Sequence, residues 1–218
     1  MKIMSYNISW CKQEKIDWLV GHQDVDAFVV PECGNRENII VPNGFRFFWM
    51  GEYATKGLGV FVRDGHKCEL ANWYDKDLRY ALPVIIDDKY LLLAIWPTKK
   101  ERTDSYINIC LSILNAYEGH INRYPTIIIG DYNIISNRKD SLPIFQWMTE
   151  HNLKSAHHTY YKEEIGKEQR PTYYHQFKET APFFIDFAFT NIDVKDYKLY
   201  TWDESKRMSD HVPLMVEI

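Results

Sequence analysis

The stretch Thr126-Ile127-Ile128-Ile129-Gly130-Asp131-Tyr132-Asn133 constrains the fold more than any other part of the chain. Four apolar or β-branched residues fill a strand interior, and the run then stops abruptly on a carboxylate and a carboxamide. Gly130 frees the backbone for a tight exit. Asp131 and Asn133 lie two residues apart, so in extended chain they share one side. Asp131 is an acceptor and a candidate base; Asn133 both donates and accepts. Polar groups at the end of a buried strand are where α/β folds place their chemistry. The same Asp-x-Asn spacing also suits an Asx-turn that merely caps the strand, and the stretch alone leaves both readings open.

The rest of the chain supplies many more strands than helices. Residues 2–8 read as a first strand and residues 12–22 as a helix with Ile16, Leu19 and Val20 on one side. Ala27-Phe28-Val29-Val30 is a second buried strand, ended by Pro31-Glu32. Phe45, Phe47 and Trp49 alternate as in a half-buried strand. Leu58-Gly59-Val60-Phe61-Val62 follows, with Arg63-Asp64-Gly65 as a hairpin-type turn. Further strands are expected at 67–73, 81–86 and 90–96. A long helix fits 104–122, its apolar face made by Ile107, Cys110, Leu111, Leu114, Tyr117 and Ile121, with Thr103 or Asp104 as cap. A shorter helix is expected at 141–151, a loop at 160–170, and strands at 171–175, 183–190, 198–202 and 212–218. This order begins β-α-β, passes through hairpin strands and returns to α and β, which implies mixed sheets rather than one parallel sheet. The expectation is an α+β fold in which two packed sheets carry helices outside, built as a single domain over residues 1–218.

Composition bounds the function. With 45% apolar residues, a chain of 218 residues builds a sizeable core without a membrane, and no apolar run approaches the length of a membrane span. The formal net charge of −4 argues against a surface that grips nucleic acid everywhere by charge. It leaves room for a local basic lip over an acidic site. Cys11, Cys33, Cys68 and Cys110 are far apart and form no Cys-x-x-Cys pair, which disfavours a zinc cluster. The N-terminal residues run straight into strand-like sequence without the apolar core of a signal peptide. A reduced, cytoplasmic protein is expected.

Several strands end as the opening one does. Asn7 closes the first strand and Glu32 the second. Asp186 stands inside Phe183-Phe184-Ile185-Asp186-Phe187-Ala188-Phe189, where an unpaired acid would cost several kcal/mol, so it needs a partner or a metal. Ser209-Asp210-His211 precedes the last strand, and Asp210-His211 suits acid–base or orienting work. Taken in order, Ser5-Tyr6-Asn7, Pro31-Glu32, Gly130-Asp131-Tyr132-Asn133, Ile185-Asp186-Phe187 and Ser209-Asp210-His211-Val212-Pro213 resemble the motifs of the endonuclease/exonuclease/phosphatase superfamily, the DNase I-like enzymes. The likeness spans residues 5 to 213. Leu78-Arg79-Tyr80, Ala94-Ile95-Trp96 and Arg170-Pro171-Thr172-Tyr173-Tyr174-His175 look like a small bacterial branch of it.

The resemblance implies a four-layer α/β/β/α sandwich and a divalent metal, Mg²⁺ with Mn²⁺ as a substitute. The candidate ligands are all oxygens, which suits hard cations. By the resemblance, Glu32 holds the metal, with Asn7 and Asp210 nearby through water. Asp131 orients or deprotonates the attacking water, steadied by Asn133. Asp186 hydrogen-bonds His211, whose imidazolium donates to a phosphate oxygen. Members of the superfamily often carry a His or Tyr just after the central strand, where this chain has Trp96, an indole that donates but cannot accept or titrate. Ser9 stands where some nucleases carry a second acidic ligand, so one metal is expected.

Substrate contacts are expected from Trp96, from Lys99 in the basic group Lys99, Lys100 and Arg102, from Arg170, and from Tyr174 with His175 beside it, whereas Tyr173 is expected to turn inward. His157 and His158 are read as strand neighbours facing opposite ways, one at the surface. The leading reading is hydrolysis of phosphodiester bonds, with a nuclease included. Phosphatase or phosphodiesterase action on a small molecule or lipid headgroup is the alternative, favoured by the acidic charge and short chain. A catalytically inactive binding domain is the third reading, and the retention of Asn7, Glu32, Asp131, Asn133, Asp186, Asp210 and His211 argues against it.

Overall fold

A computed structural model describes residues 1–218. In chain order the elements are β1 (Lys2–Ser5), α1 (Gln13–Val20), β2 (Ala27–Cys33), β3 (Phe45–Tyr53), β4 (Lys56–Arg63), β5 (Cys68–Leu70), β6 (Ala81–Ile86), β7 (Tyr90–Ile95), α2 (Tyr106–Ile121), β8 (Thr126–Asp131), α3 (Leu142–Glu150), β9 (Lys154–Ser155), α4 (Ala156–Tyr161), β10 (Tyr173–Tyr174), β11 (Pro182–Phe183), β12 (Asp186–Thr190), β13 (Asp196–Leu199) and β14 (Leu214–Glu217). One six-stranded sheet has the order β13-β14-β1-β2-β4-β3, and a second has the order β5-β6-β7-β8-β12-β9. Both are mixed: β1 runs parallel to β2 and β7 parallel to β8, and the other neighbours are antiparallel.

The sheets pack face to face because their strands are apolar on both sides. In the first sheet Ile3, Ala27, Val29 and Val60 point into the large core shared with the second sheet. Their strand neighbours Met4, Phe28, Val30 and Phe61 point the other way, where Ile16 and Leu19 of α1 cover them. In the second sheet Leu91–Ile95 and Ile127–Ile129 are wholly buried, since α2 covers the face turned away from the first sheet. Each such Leu or Ile contributes about 1.5–3 kcal/mol on leaving water. The result is the four-layer helix–sheet–sheet–helix sandwich expected from the strand pattern. No helix is long and apolar enough to cross a membrane.

Several local expectations are corrected. Arg63-Asp64-Gly65 does not close a hairpin: β4 ends there, and β5 pairs with β6 in the other sheet. The turn therefore carries the chain between sheets. Helix α2 is capped by Ser105, whose Oγ accepts from Asn108 N, while Asp104 accepts from the N–H groups of Lys100 and Glu101 in the turn before it. His157 and His158 lie on the helix α4, not on a strand, and both are buried, held by Glu163 and Glu168 respectively. The expected strand 183–190 is broken, so that Asp186 opens β12 rather than interrupting it.

Strand polarity gathers the chemistry on one rim. β1, β2, β7 and β8 end there, whereas the antiparallel strands β12 and β14 begin there. Asn7, Glu32, Trp96, Asp131, Asp186 and His211 thus come from both sheets to the seam between them.

Candidate active site

Asp131 and Asp186 are directly opposed residues of the antiparallel β8–β12 pair, and both are buried. Like charges so placed repel, and the site answers with directed hydrogen bonds and one imidazole. Asp131 Oδ1 accepts from the Asn133 backbone N–H at 2.9 Å. Its Oδ2 accepts from Asn7 Nδ2 at 2.9 Å and from Asn133 Nδ2 at 3.3 Å. Asn133 adopts a left-handed φ of 55° and also donates to Pro97 O, so its side chain spans from β8 to the strand end after β7. The Asx-turn and the site are therefore the same structure.

His211 Nδ1 donates to Asp186 Oδ2 at 2.9 Å, and its Nε2 lies 3.9 Å from Asp131 Oδ2. Burial alone would lower the imidazole's pKa; the carboxylates of Asp186 and Asp131 outweigh it and raise it to about 9. Burial pushes the Asp131 carboxyl well above the ordinary carboxylate range, with Asp186 adding to the rise and His211 and Asn7 opposing it. Ligand atoms of Asp131, Asp186 and His211 lie within 4.8 Å of one another, close enough to hold a metal ion. The imidazole is nevertheless engaged as the cation of this trio, and a metal would have to take it neutral.

Glu32 reaches the seam through an irregularity. The β2–β4 register shifts between Pro31 and Cys33, and Glu32 takes a φ of 63°. The bulge re-aims its side chain. Glu32 Oε2 lies 3.1 Å from Lys56 Nζ and accepts from Trp10 N at 3.3 Å. Asp210 keeps its side chain nearly free, with a single contact of 3.5 Å from Ser209 Oγ, while its carbonyl accepts from Tyr174 N. The Tyr173 phenol marks the convergence: burial raises it to about 12, and Asp210, Asp131, Glu32 and Asp186 all add to that rise.

A cleft of about 300 Å³ opens beside Glu32 and Asn133. Trp96, Lys99, Lys56, Arg79, Tyr80 and Tyr106 line it, with Trp96 tilted against Tyr80 at 5.5 Å and Lys99 over the Tyr106 ring. A larger depression of about 450 Å³, over α3 and α4, touches none of the four carboxylates.

The structure brings together Asn7, Glu32, Asp131, Asn133, Asp186, Asp210 and His211, with Trp96 and Lys99 on the adjoining wall. It does not bring Arg170 there: that guanidinium lies over the Tyr161 ring, in a separate depression beside Ser136 and Phe183. Tyr174 stacks flat on Trp202 at 4.3 Å instead of lining the cleft. Its neighbour Tyr173, expected to turn inward, packs on the His211 ring at 4.6 Å and bonds His175 through its hydroxyl. The β10 strand is only two residues long, so the alternation used to assign these tyrosines had no register to rest on. Lys56, Arg79, Tyr106 and Thr172 were not anticipated. Buried Thr172 accepts at Oγ1 from Ile185 N and Asp186 N, and its carbonyl accepts from Val212 N, which ties both histidine-pair segments together.

No family model matches the chain, and no curated protein matches it. Solved structures do. A 3′ phosphatase from Neisseria bound to product DNA hairpin is 15% identical, with a TM-score of 0.75 over 100% of this chain and 99% of that one. An AP endonuclease from Archaeoglobus fulgidus is 14% identical, with a TM-score of 0.73 and the same coverage. An endonuclease/exonuclease/phosphatase family protein from Bacteroides thetaiotaomicron is 16% identical, with a TM-score of 0.63 over 99% of this chain and 96% of that one. The fold expected from the motif order is thus the fold found.

Proposed function

We propose that this protein is a divalent-metal-dependent phosphoesterase that hydrolyses phosphodiester bonds. One observation carries the reading: Asn7, Glu32, Asp131, Asp186, Asp210 and His211, scattered over the chain, converge on one seam beside a basic, aromatic-walled cleft. The neighbours that share the fold include a 3′ phosphatase and an AP endonuclease, which supports the same chemistry.

The residues present suit a hard divalent ion. Their donors are oxygens, and the Asp210 carboxylate has almost no partner. Glu32 would hold the ion, with Asn7 and Asp210 beside it. Mg²⁺, or Mn²⁺ in its place, supplies neutralisation of charge on the phosphoryl and leaving oxygens. Asp131, held on both oxygens by Asn7 and Asn133, takes the proton of the attacking water. His211, kept cationic by Asp186, donates from Nε2 to a phosphoryl oxygen as charge develops there. Lys99 and Trp96 position the ester in the cleft.

The alternative, a small phosphoester as substrate, draws on the cleft volume, which is at the low end for ligand sites. The two are separated by assaying the protein with Mg²⁺ or Mn²⁺ on single- and double-stranded DNA, RNA, an aryl phosphodiester and sugar or aryl monophosphates. Metal-dependent turnover of diesters, lost with EDTA and reduced by about 10²-fold or more in His211→Ala and Asp131→Ala, is expected. Turnover of monoesters alone would select the alternative, and no turnover of any phosphoester would overturn both.

A further inference from the structure

Glu32 is the carboxylate assigned above to the metal, yet its oxygen already faces a cation. Lys56 opens β4, opposite Tyr53 across the β3–β4 hairpin, and its Nζ stands 3.1 Å from Glu32 Oε2. The same ammonium lies 5.6 Å from the centroid of Trp10 and 5.7 Å from that of Trp96, between two indoles. Ser9 and Trp10 both take left-handed φ values, 40° and 68°, a rare conformation for side-chain-bearing residues. That conformation sets the exposed Trp10 ring over Lys56 and brings the Trp10 N–H onto Glu32. Aromatic faces attract a cation without fixing its direction. A lysine stem is long and flexible, so the ammonium can leave the carboxylate and stay near the two indoles, and both Lys56 and Trp96 line the substrate cleft.

We propose that Lys56 is an exchangeable cation. It neutralises Glu32 when no divalent ion is bound, gives up the carboxylate when one enters, and then turns to the phosphate of the substrate. The two indoles keep it in the cleft through the exchange. This rests on the reading of Glu32 as metal ligand. It makes a prediction opposite to that for an ordinary site residue: removing Lys56 strengthens metal binding while it weakens phosphate binding.

The test is calorimetric titration of Mn²⁺ into wild-type protein, Lys56→Gln, Lys56→Arg and Glu32→Gln without substrate. Inorganic phosphate is then titrated into each Mn²⁺-loaded protein. Lys56→Gln is expected to bind Mn²⁺ about three- to fivefold more tightly than wild type, the scale of a partly exposed ion pair, and phosphate about tenfold more weakly. Lys56→Arg keeps the positive charge and is expected to stay near wild type for Mn²⁺. Equal or weaker Mn²⁺ binding by Lys56→Gln overturns the exchange while leaving the metal reading intact, and unchanged phosphate binding overturns the transfer to substrate. If Glu32→Gln binds Mn²⁺ as wild type does, Glu32 is not the ligand and both the proposal and the metal assignment fall.

Discussion

His211 is the residue whose environment departs most from its sequence neighbourhood. It follows an aspartate in the chain, yet its imidazole hydrogen-bonds Asp186, and Asp131 is its second carboxylate neighbour. With its folded pKa raised to about 9 above the ordinary value of 6.5, the imidazolium's contribution to stability is fully present below about pH 6.5. It is lost as pH rises through about 9. A reaction that needs the imidazolium fails on the same alkaline limb. Asp186→Asn keeps the shape but removes one of the charges that raise His211. The alkaline limb of the kcat/KM profile should then move down by about one pH unit or more, and an unmoved limb would refute the role given to Asp186. Asp186 was legible because an acid in an apolar run needs a partner, and Glu32, Asp131, Asp210 and His211 because their motifs, taken in order, resemble those of a known superfamily. Lys56 and Arg79 were not, because a surface cation on a hairpin or loop looks the same whether or not it faces a cleft.

At the scale of elements, the close approach of β7 and β8 decides what position 130 can hold. Gly130 has a φ of 154°, and a Cβ there would stand 1.9 Å from the Ile95 carbonyl oxygen of the parallel neighbour. That clash is with backbone, which cannot swing aside. Gly130→Ala should destabilise the protein by about 3 kcal/mol, read as a lower midpoint in urea unfolding with an unchanged slope. An effect within the error of the measurement would mean that the strands separate more easily than their packing suggests. The glycine was expected to free the backbone for the chain's exit from the strand, and its φ uses that freedom; it also lets two backbones touch. Long strands and the helix α2 were legible from their periodicity. The two-residue strands β9, β10 and β11 were not, since two residues carry no period and only their tertiary neighbours define them. Tyr173 and Tyr174 exchanged roles for that reason, and α4 went unseen because six residues make too short a helix to imprint a face.

At the scale of the molecule, the site belongs to neither sheet. Asn7, Glu32 and His211 come from one, Asp131 and Asp186 from the other. A divalent ion held by Glu32 with Asn7 and Asp210, as proposed, would bind the folded chain and not the unfolded one, so it should stabilise the sandwich. At a hundredfold excess over its dissociation constant this amounts to about 2.7 kcal/mol, or a rise in Tm of about 5–10 °C. Thermal unfolding with and without Mn²⁺ checks it, and an equal rise in Glu32→Gln would move the ion elsewhere. The layer order was legible from the count and grouping of strands, whereas the handover from β4 to β5 in the other sheet left no mark in the sequence. The strand polarity that crowds these residues onto one rim also sets the opposite rim away from the cleft. The β6–β7 turn at Asp87-Asp88-Lys89 lies there, exposed and polar. That turn is a natural handle: a dye, a tether or an inserted peptide fixed at it would face away from the cleft, and the protein could be anchored to a surface with its mouth outward.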